Sequence, residues 1–266
     1  MTALSAALDK TRGEGRAALV GYLPVGYPSV AGSVNAMLAM VEAGVDVVEV
    51  GVPYSDPLMD GPVIQLAAEA ALARGSRLSD VFRAVRAVAA TGTPAVVMSY
   101  WNPILRYGVD RFAADLAAAG GSGIITPDLV PDEAEAWLAA ARRNDLDPVF
   151  LVAPSSTDER LRRTAGACGG FVYAASTMGV TGARESVGDT AQRLVARVRE
   201  VTGLPVCVGL GVSTRDQAAQ VAGFADGVIV GSALVRCLTS ASTEEQGLRA
   251  LSTLTTELAV GVRAGR

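Results

Sequence analysis

Eight short apolar runs rich in β-branched residues punctuate the chain, and each is followed by an alanine-rich stretch with helical periodicity. They lie at 18–22, 45–50, 95–99, 123–126, 148–152, 170–174, 205–209 and 227–230. Their near-continuous apolar character marks strands buried on both faces, as a parallel sheet covered by helices requires. Helix starts follow them. Pro131-Asp132-Glu133, Thr157-Asp158-Glu159 and Ser213-Thr214-Arg215-Asp216 each combine a cap or a proline with acids in the first turn. One link, from 50 to 95, is far longer than the rest and has room for a helix or two beyond the usual count. Eight βα units with short links in 266 residues predict a closed (β/α)₈ barrel of the TIM type rather than an open doubly wound sheet. The expected organisation is one α/β barrel domain over 1–266. A helical segment at 1–16 precedes the first strand, and the extra helices fall mainly in the second βα connection.

Charge narrows the partners. The net charge is −4 with no basic block, which argues against nucleic acid and anionic membrane surfaces. Residues 164–183 carry no charge, but five glycines and several hydroxyl residues make them a strand and loop rather than a membrane span. Residues 1–16 mix acids and bases without an apolar signal segment, so the expected compartment is the cytoplasm. Cys168, Cys207 and Cys237 are odd in number and widely spaced, and read as small apolar filler.

Two absences bear on chemistry. The chain has no histidine, and Lys10, upstream of the first strand, is its only lysine. Schiff-base chemistry needs a lysine inside the barrel, and zinc sites usually need histidines. No metal site is expected. Any carbon–carbon cleavage must then find its electron sink in the substrate.

Barrel active sites form at the C-terminal ends of the strands. Glu49 stands inside an apolar run at such an end. It is either a structural carboxylate bonded to an arginine or backbone amides, or a general acid/base whose pKa burial raises. Asp60 follows in an Asp-Gly-Pro sequence that also suits a plain turn and cap. After the seventh and eighth runs, Gly209-Leu210-Gly211 and Gly231-Ser232 offer backbone N–H groups to an anion at short helix starts, the frequent phosphate position of this fold. The glycine-rich stretch 176–184 after the sixth run is either a closing loop or an ordinary connection.

The segment Glu49-Val50-Gly51-Val52-Pro53-Tyr54-Ser55-Asp56-Pro57-Leu58-Met59-Asp60-Gly61-Pro62 closely resembles the signature of tryptophan synthase α subunits. Gly21-Tyr22-Leu23-Pro24-Val25-Gly26-Tyr27-Pro28, Tyr100-Trp101-Asn102-Pro103, Tyr107-Gly108, Gly179-Val180-Thr181-Gly182 and both phosphate-loop segments match as well. The resemblance implies a lyase that cleaves indole-3-glycerol phosphate into indole and glyceraldehyde 3-phosphate on the way to tryptophan. It implies Glu49 as the main acid/base residue and Asp60 as acceptor for the indole N–H. Thr181 would orient the second connection. Gly182, Gly211, Gly231 and Ser232 would hold the phosphate, Tyr173 would stand near Glu49, and Tyr22 and Leu210 would wall the pocket. It also implies a β-subunit partner in an αββα assembly, with pyridoxal phosphate (PLP) in that partner only and no cofactor in this chain. Departures from the commonest pattern of such subunits are Thr177-Met178, Leu210 and Pro127-Asp128. Competing readings are a stand-alone indole-releasing lyase, an inactive subunit that only activates a β partner, and a phosphosugar isomerase. Glu49 together with Asp60 speaks against the second, and Ser55-Asp56-Pro57 against the third.

Overall fold

Eight parallel strands close on themselves in sequence order, β1 pairing with both β2 and β8. They are β1 Ala18–Pro24, β2 Val47–Gly51, β3 Ala95–Met98, β4 Gly123–Thr126, β5 Asp147–Val152, β6 Val172–Ala175, β7 Val206–Gly209 and β8 Gly227–Val230. The structure is a computed structural model that describes residues 1–175, 187–209 and 211–265. Every expected run contains a strand, with small shifts at the edges. Val45 lies ahead of β2, and Gly170 adopts φ +64 in a bend before β6.

One helix precedes the first strand, and the others follow the strands around the outside. The helices begin with α1 Ala3–Gly13, α2 Val30–Glu42, α3 Pro62–Ala73, α4 Leu78–Ala89, α5 Trp101–Tyr107 and α6 Val109–Ala118. The remainder are α7 Glu135–Arg143, α8 Asp158–Ala167, α9 Val187–Arg199, α10 Arg215–Ala222, α11 Ser232–Thr239 and α12 Glu244–Ala264. The long second connection carries two helices, α3 and α4, as its length suggests. Thr157 and Thr214 cap α8 and α10 with their side chains, as the sequence indicates. Pro131-Asp132-Glu133 behaves differently. It forms a 3₁₀ turn that ends at Ala134 (φ −95, ψ 9), and α7 starts only beyond that break. No helix among the described residues is long and apolar enough to cross a membrane.

The barrel interior is filled by side chains two residues apart on each strand, the period of a pleated chain. Val20, Val47, Val96, Ile125, Val149, Phe171, Cys207 and Ile229 belong to one buried apolar cluster. Below it α1 seals the N-terminal end, with Leu4 and Leu8 inserted into the same cluster. The helix is anchored by its cap. Thr2 accepts the Ser5 N–H at 3.1 Å, and the Thr2 and Ser5 hydroxyls both donate to Asp147 at the start of β5. Burial raises the Asp147 pKa, and these hydroxyl donors pull it back.

Leu4 is fully buried in this plug, so Leu4→Ala removes contacts that the rigid strands around it cannot close over. The expected loss is about 2–5 kcal/mol, read as a lower urea midpoint at unchanged m-value. An unchanged midpoint would show that α1 stands outside the cooperative unit.

Candidate active site

One two-residue step above the apolar cluster, the same inward faces line a cavity of about 680 Å³ at the C-terminal mouth. The inward positions there are Tyr22, Glu49, Met98, Pro127, Leu151, Tyr173, Gly209 and Gly231. Glu49 therefore faces inward because Val47 does, and it enters the cavity because strand β2 ends just beyond it.

Glu49 is 2% exposed, and its Oε2 has no hydrogen-bond partner in the structure. Desolvation first, and then the charge of Asp60, push its pKa up to about 8. The structural alternative, a carboxylate held by an arginine or by backbone amides, finds no support among the described residues, where Oε2 is buried without a hydrogen-bond partner. At neutral pH most of the group carries its proton.

Tyr22 and Tyr173 flank it, their hydroxyls held far from ionisation chiefly by burial. Glycines make room for both rings. A Cβ on Gly51 would stand 2.5 Å from the Tyr22 hydroxyl, and one on Gly209 would stand 2.4 Å from that of Tyr173.

Asp60 arrives from the loop between β2 and α3 and lines the same cavity. Burial raises its pKa, and a hydrogen bond from Tyr100 lowers it again. Tyr100, which the sequence reading left without a role, does most to fix this loop. Its hydroxyl accepts the Met59 N–H at 2.9 Å, so its own proton is free to point at Asp60. Its ring leans on Tyr54, centroid to centroid 5.3 Å, and Asn102 donates to the Tyr54 hydroxyl at 3.1 Å. Gln65 closes the loop from the other side, donating to the Asp60 carbonyl at 2.8 Å. The sequence signals for Tyr100 were its place directly after the third run and its membership of the Tyr100-Trp101-Asn102-Pro103 segment.

The candidate anion positions follow β7 and β8 and line the same mouth. Gly211 has φ +69, a conformation suited to glycine, and lines the cavity. Gly231 is the N-cap of α11 without a side-chain cap bond, and Ser232 opens that helix at the cavity wall. Backbone N–H groups at such a helix start favour an anion. Thr181, Gly182 and Leu210 lie outside the described residues. Among the described residues no cluster of three or more histidine, cysteine or acidic side chains is arranged to hold a metal.

A closed (β/α)₈ barrel with a buried carboxyl, a second carboxyl and glycine-rich helix starts around one mouth is the layout of a barrel enzyme that moves protons on a small substrate. The family model described as "Tryptophan synthase alpha chain" matches residues 8–263. The tryptophan synthase alpha chain of Mycolicibacterium paratuberculosis is 63% identical over 260 residues, covering 98% of this chain and 94% of that one. That of Salinispora arenicola is 63% identical over 263 residues, covering 99% and 98%. Among solved structures, Mycobacterium tuberculosis tryptophan synthase superposes with a TM-score of 0.91 at 62% identity, covering 98% of each chain. The alpha subunit from Legionella pneumophila str. Paris gives 0.89 at 33%, again covering 98% of each. The chain belongs to the tryptophan synthase alpha chain family, and it is a lyase that cleaves indole-3-glycerol phosphate in tryptophan biosynthesis.

Tyr100→Phe deletes the donor that favours ionised Asp60. Asp60 then titrates at higher pH than in the parent, and the acid limb of the pH profile for indole release moves up with it. An acid limb in the same place would show that Tyr100 only braces the loop.

Proposed function

We propose that Glu49 serves cleavage twice, as acid and then as base, while Asp60 stabilises the cation formed between the two steps. The observation that carries this reading is a buried carboxyl with a pKa of about 8 and no partner on Oε2, sharing one cavity with Asp60. Protonated Glu49 gives its proton to C3 of the indole ring. The ring becomes an indolenine cation, whose N–H donates to the Asp60 carboxylate. Glu49, now charged in a dry site, takes the proton of the glycerol hydroxyl next to the ring. The bond from that carbon to C3 breaks, its electron pair returns to the ring, and the hydroxyl carbon becomes the aldehyde of glyceraldehyde 3-phosphate. Glu49 ends protonated, ready for the next turnover. No lysine is needed, because the protonated ring is the electron sink.

The phosphate is held at Gly211, Gly231 and Ser232, joined by Gly182, with Thr181 orienting the second connection over the substrate. Tyr22 and Leu210 wall the indole pocket, and Tyr173 stands by the glycerol. A pocket of about 680 Å³ suits a substrate of this size.

The product indole is small and apolar, which favours direct transfer to a β subunit that carries PLP, in an αββα assembly in the cytoplasm. This chain would use no cofactor of its own. Large apolar side chains stand exposed on the loop and helices around the mouth: Leu58 at 76%, Met59 at 52%, Leu66 at 55% and Leu105 at 56%. Exposed apolar side chains on and around a proline-rich loop support a docking face there.

Glu49→Gln leaves glycerol 3-phosphate binding intact and lowers indole release about 10²–10⁴-fold, as loss of a general acid/base does. Asp60→Asn also lowers the rate, because a neutral amide stabilises the cation poorly. Indole release by the pure chain, with and without a β subunit, reads both. Near-parental turnover of the Glu49 variant overturns the assignment.

A further inference from the structure

The cavity holds two carboxyl groups, Glu49 and Asp60, and its proposed anion cradle is built from uncharged backbone groups. A phosphate dianion entering it meets repulsion from Asp60 with only dipoles to offset it. Among the described residues one cation lines this cavity: Arg160.

Arg160 is the third residue of α8, directly after the loop that leaves β5. Its backbone N–H is tied to the Thr157 cap at 3.3 Å, which fixes where the side chain leaves the helix. The acids beside it in sequence are engaged elsewhere. Asp158 is taken by Arg197 at 2.7 Å, and Glu159 lies 3.6 Å from Arg163. Arg163 itself bonds Asp132 at 2.8 Å. No carboxylate among the described residues neutralises the Arg160 guanidinium. Its neighbours are consumed in surface pairs, while Arg160 is left uncompensated at the cavity wall beside the Ser155 and Ser156 positions.

We propose that Arg160 is a specificity-determining residue that draws the phosphate end of the substrate into the mouth and selects phosphorylated over unphosphorylated ligands. The inference rests on the phosphate reading of this cavity given above. The effect is electrostatic and acts across solvent at the rim. It strengthens capture and ground-state binding, leaves the proton transfers at Glu49 alone, and weakens as salt screens it.

The test compares the parent chain with Arg160→Gln and Arg160→Lys. Glycerol 3-phosphate binding is measured by calorimetry at low and high ionic strength, and substrate cleavage is followed by indole release. Arg160→Gln is expected to weaken glycerol 3-phosphate about tenfold at low salt and to raise KM comparably, with kcat within about twofold. The parent loses affinity as salt rises, whereas the glutamine variant changes little. The lysine variant recovers most of the affinity, and free indole binds all three proteins alike. Equal glycerol 3-phosphate affinity and equal salt dependence in parent and Arg160→Gln overturn the role of Arg160 while leaving the phosphate site standing. A parent chain that does not bind glycerol 3-phosphate overturns the phosphate reading itself, and this inference with it.

Discussion

Everything at the mouth of this barrel is arranged around a carboxyl that cannot easily ionise. Glu49 sits on a strand face where an apolar side chain would be cheaper, removed from water and without a counter-ion among the described residues. Isolated charge in such a place is so unfavourable that the group keeps its proton instead. A carboxylic acid that is protonated at neutral pH is an uncommon reagent, able to donate a proton and then to reclaim one. The chain obtains it without any histidine, and with its single lysine at the far end of the barrel.

The same constraint explains why neighbouring groups differ. Asp60 is also partly buried, yet Tyr100 donates to it and restrains the rise in its pKa. Burial raises the pKa of both carboxyls in the cavity, but only for Asp60 does a neighbouring hydroxyl oppose the rise. Tyr22 and Tyr173 surround Glu49 with neutral walls, and the glycines at 51 and 209 let those rings lie close to the strands. Rigidity comes from the opposite end, where α1 plugs the barrel and the interior cluster of apolar side chains fixes the strands that carry Glu49 and Tyr173.

Much of this was readable in the sequence, for identifiable reasons. The eight apolar runs gave the barrel because fully buried parallel strands leave a pattern that few other folds share. Glu49 was conspicuous as a charge in such a run, and the glycines after the last two strands stood where this fold usually binds phosphate. The residues alone left Asp60 open between a turn and the site, and only the family resemblance pointed to the site. Its position in the cavity depends on Tyr100, 40 residues further along, accepting from the Met59 N–H and thereby setting the path of the loop. Arg160 was hidden for another reason. A charge in the first turn of a surface helix looks the same whether it is paired or free, and only the ion pairs around it show which. At Pro131 the helix start was displaced because local turn geometry at Ala134 interrupts the helix that the proline and acids suggest.

The protonation state of Glu49 is the point on which the account turns, and it can be observed without turnover. Infrared difference spectra of the parent chain against Glu49→Gln, recorded across pH, isolate the C=O stretch of this one carboxyl. A protonated-carboxyl band that persists through neutral pH and disappears around pH 8 is the predicted result. A band that vanishes in the ordinary carboxylate range, near pH ~4, would mean that Glu49 is ionised at rest and would contradict the mechanism drawn from its burial.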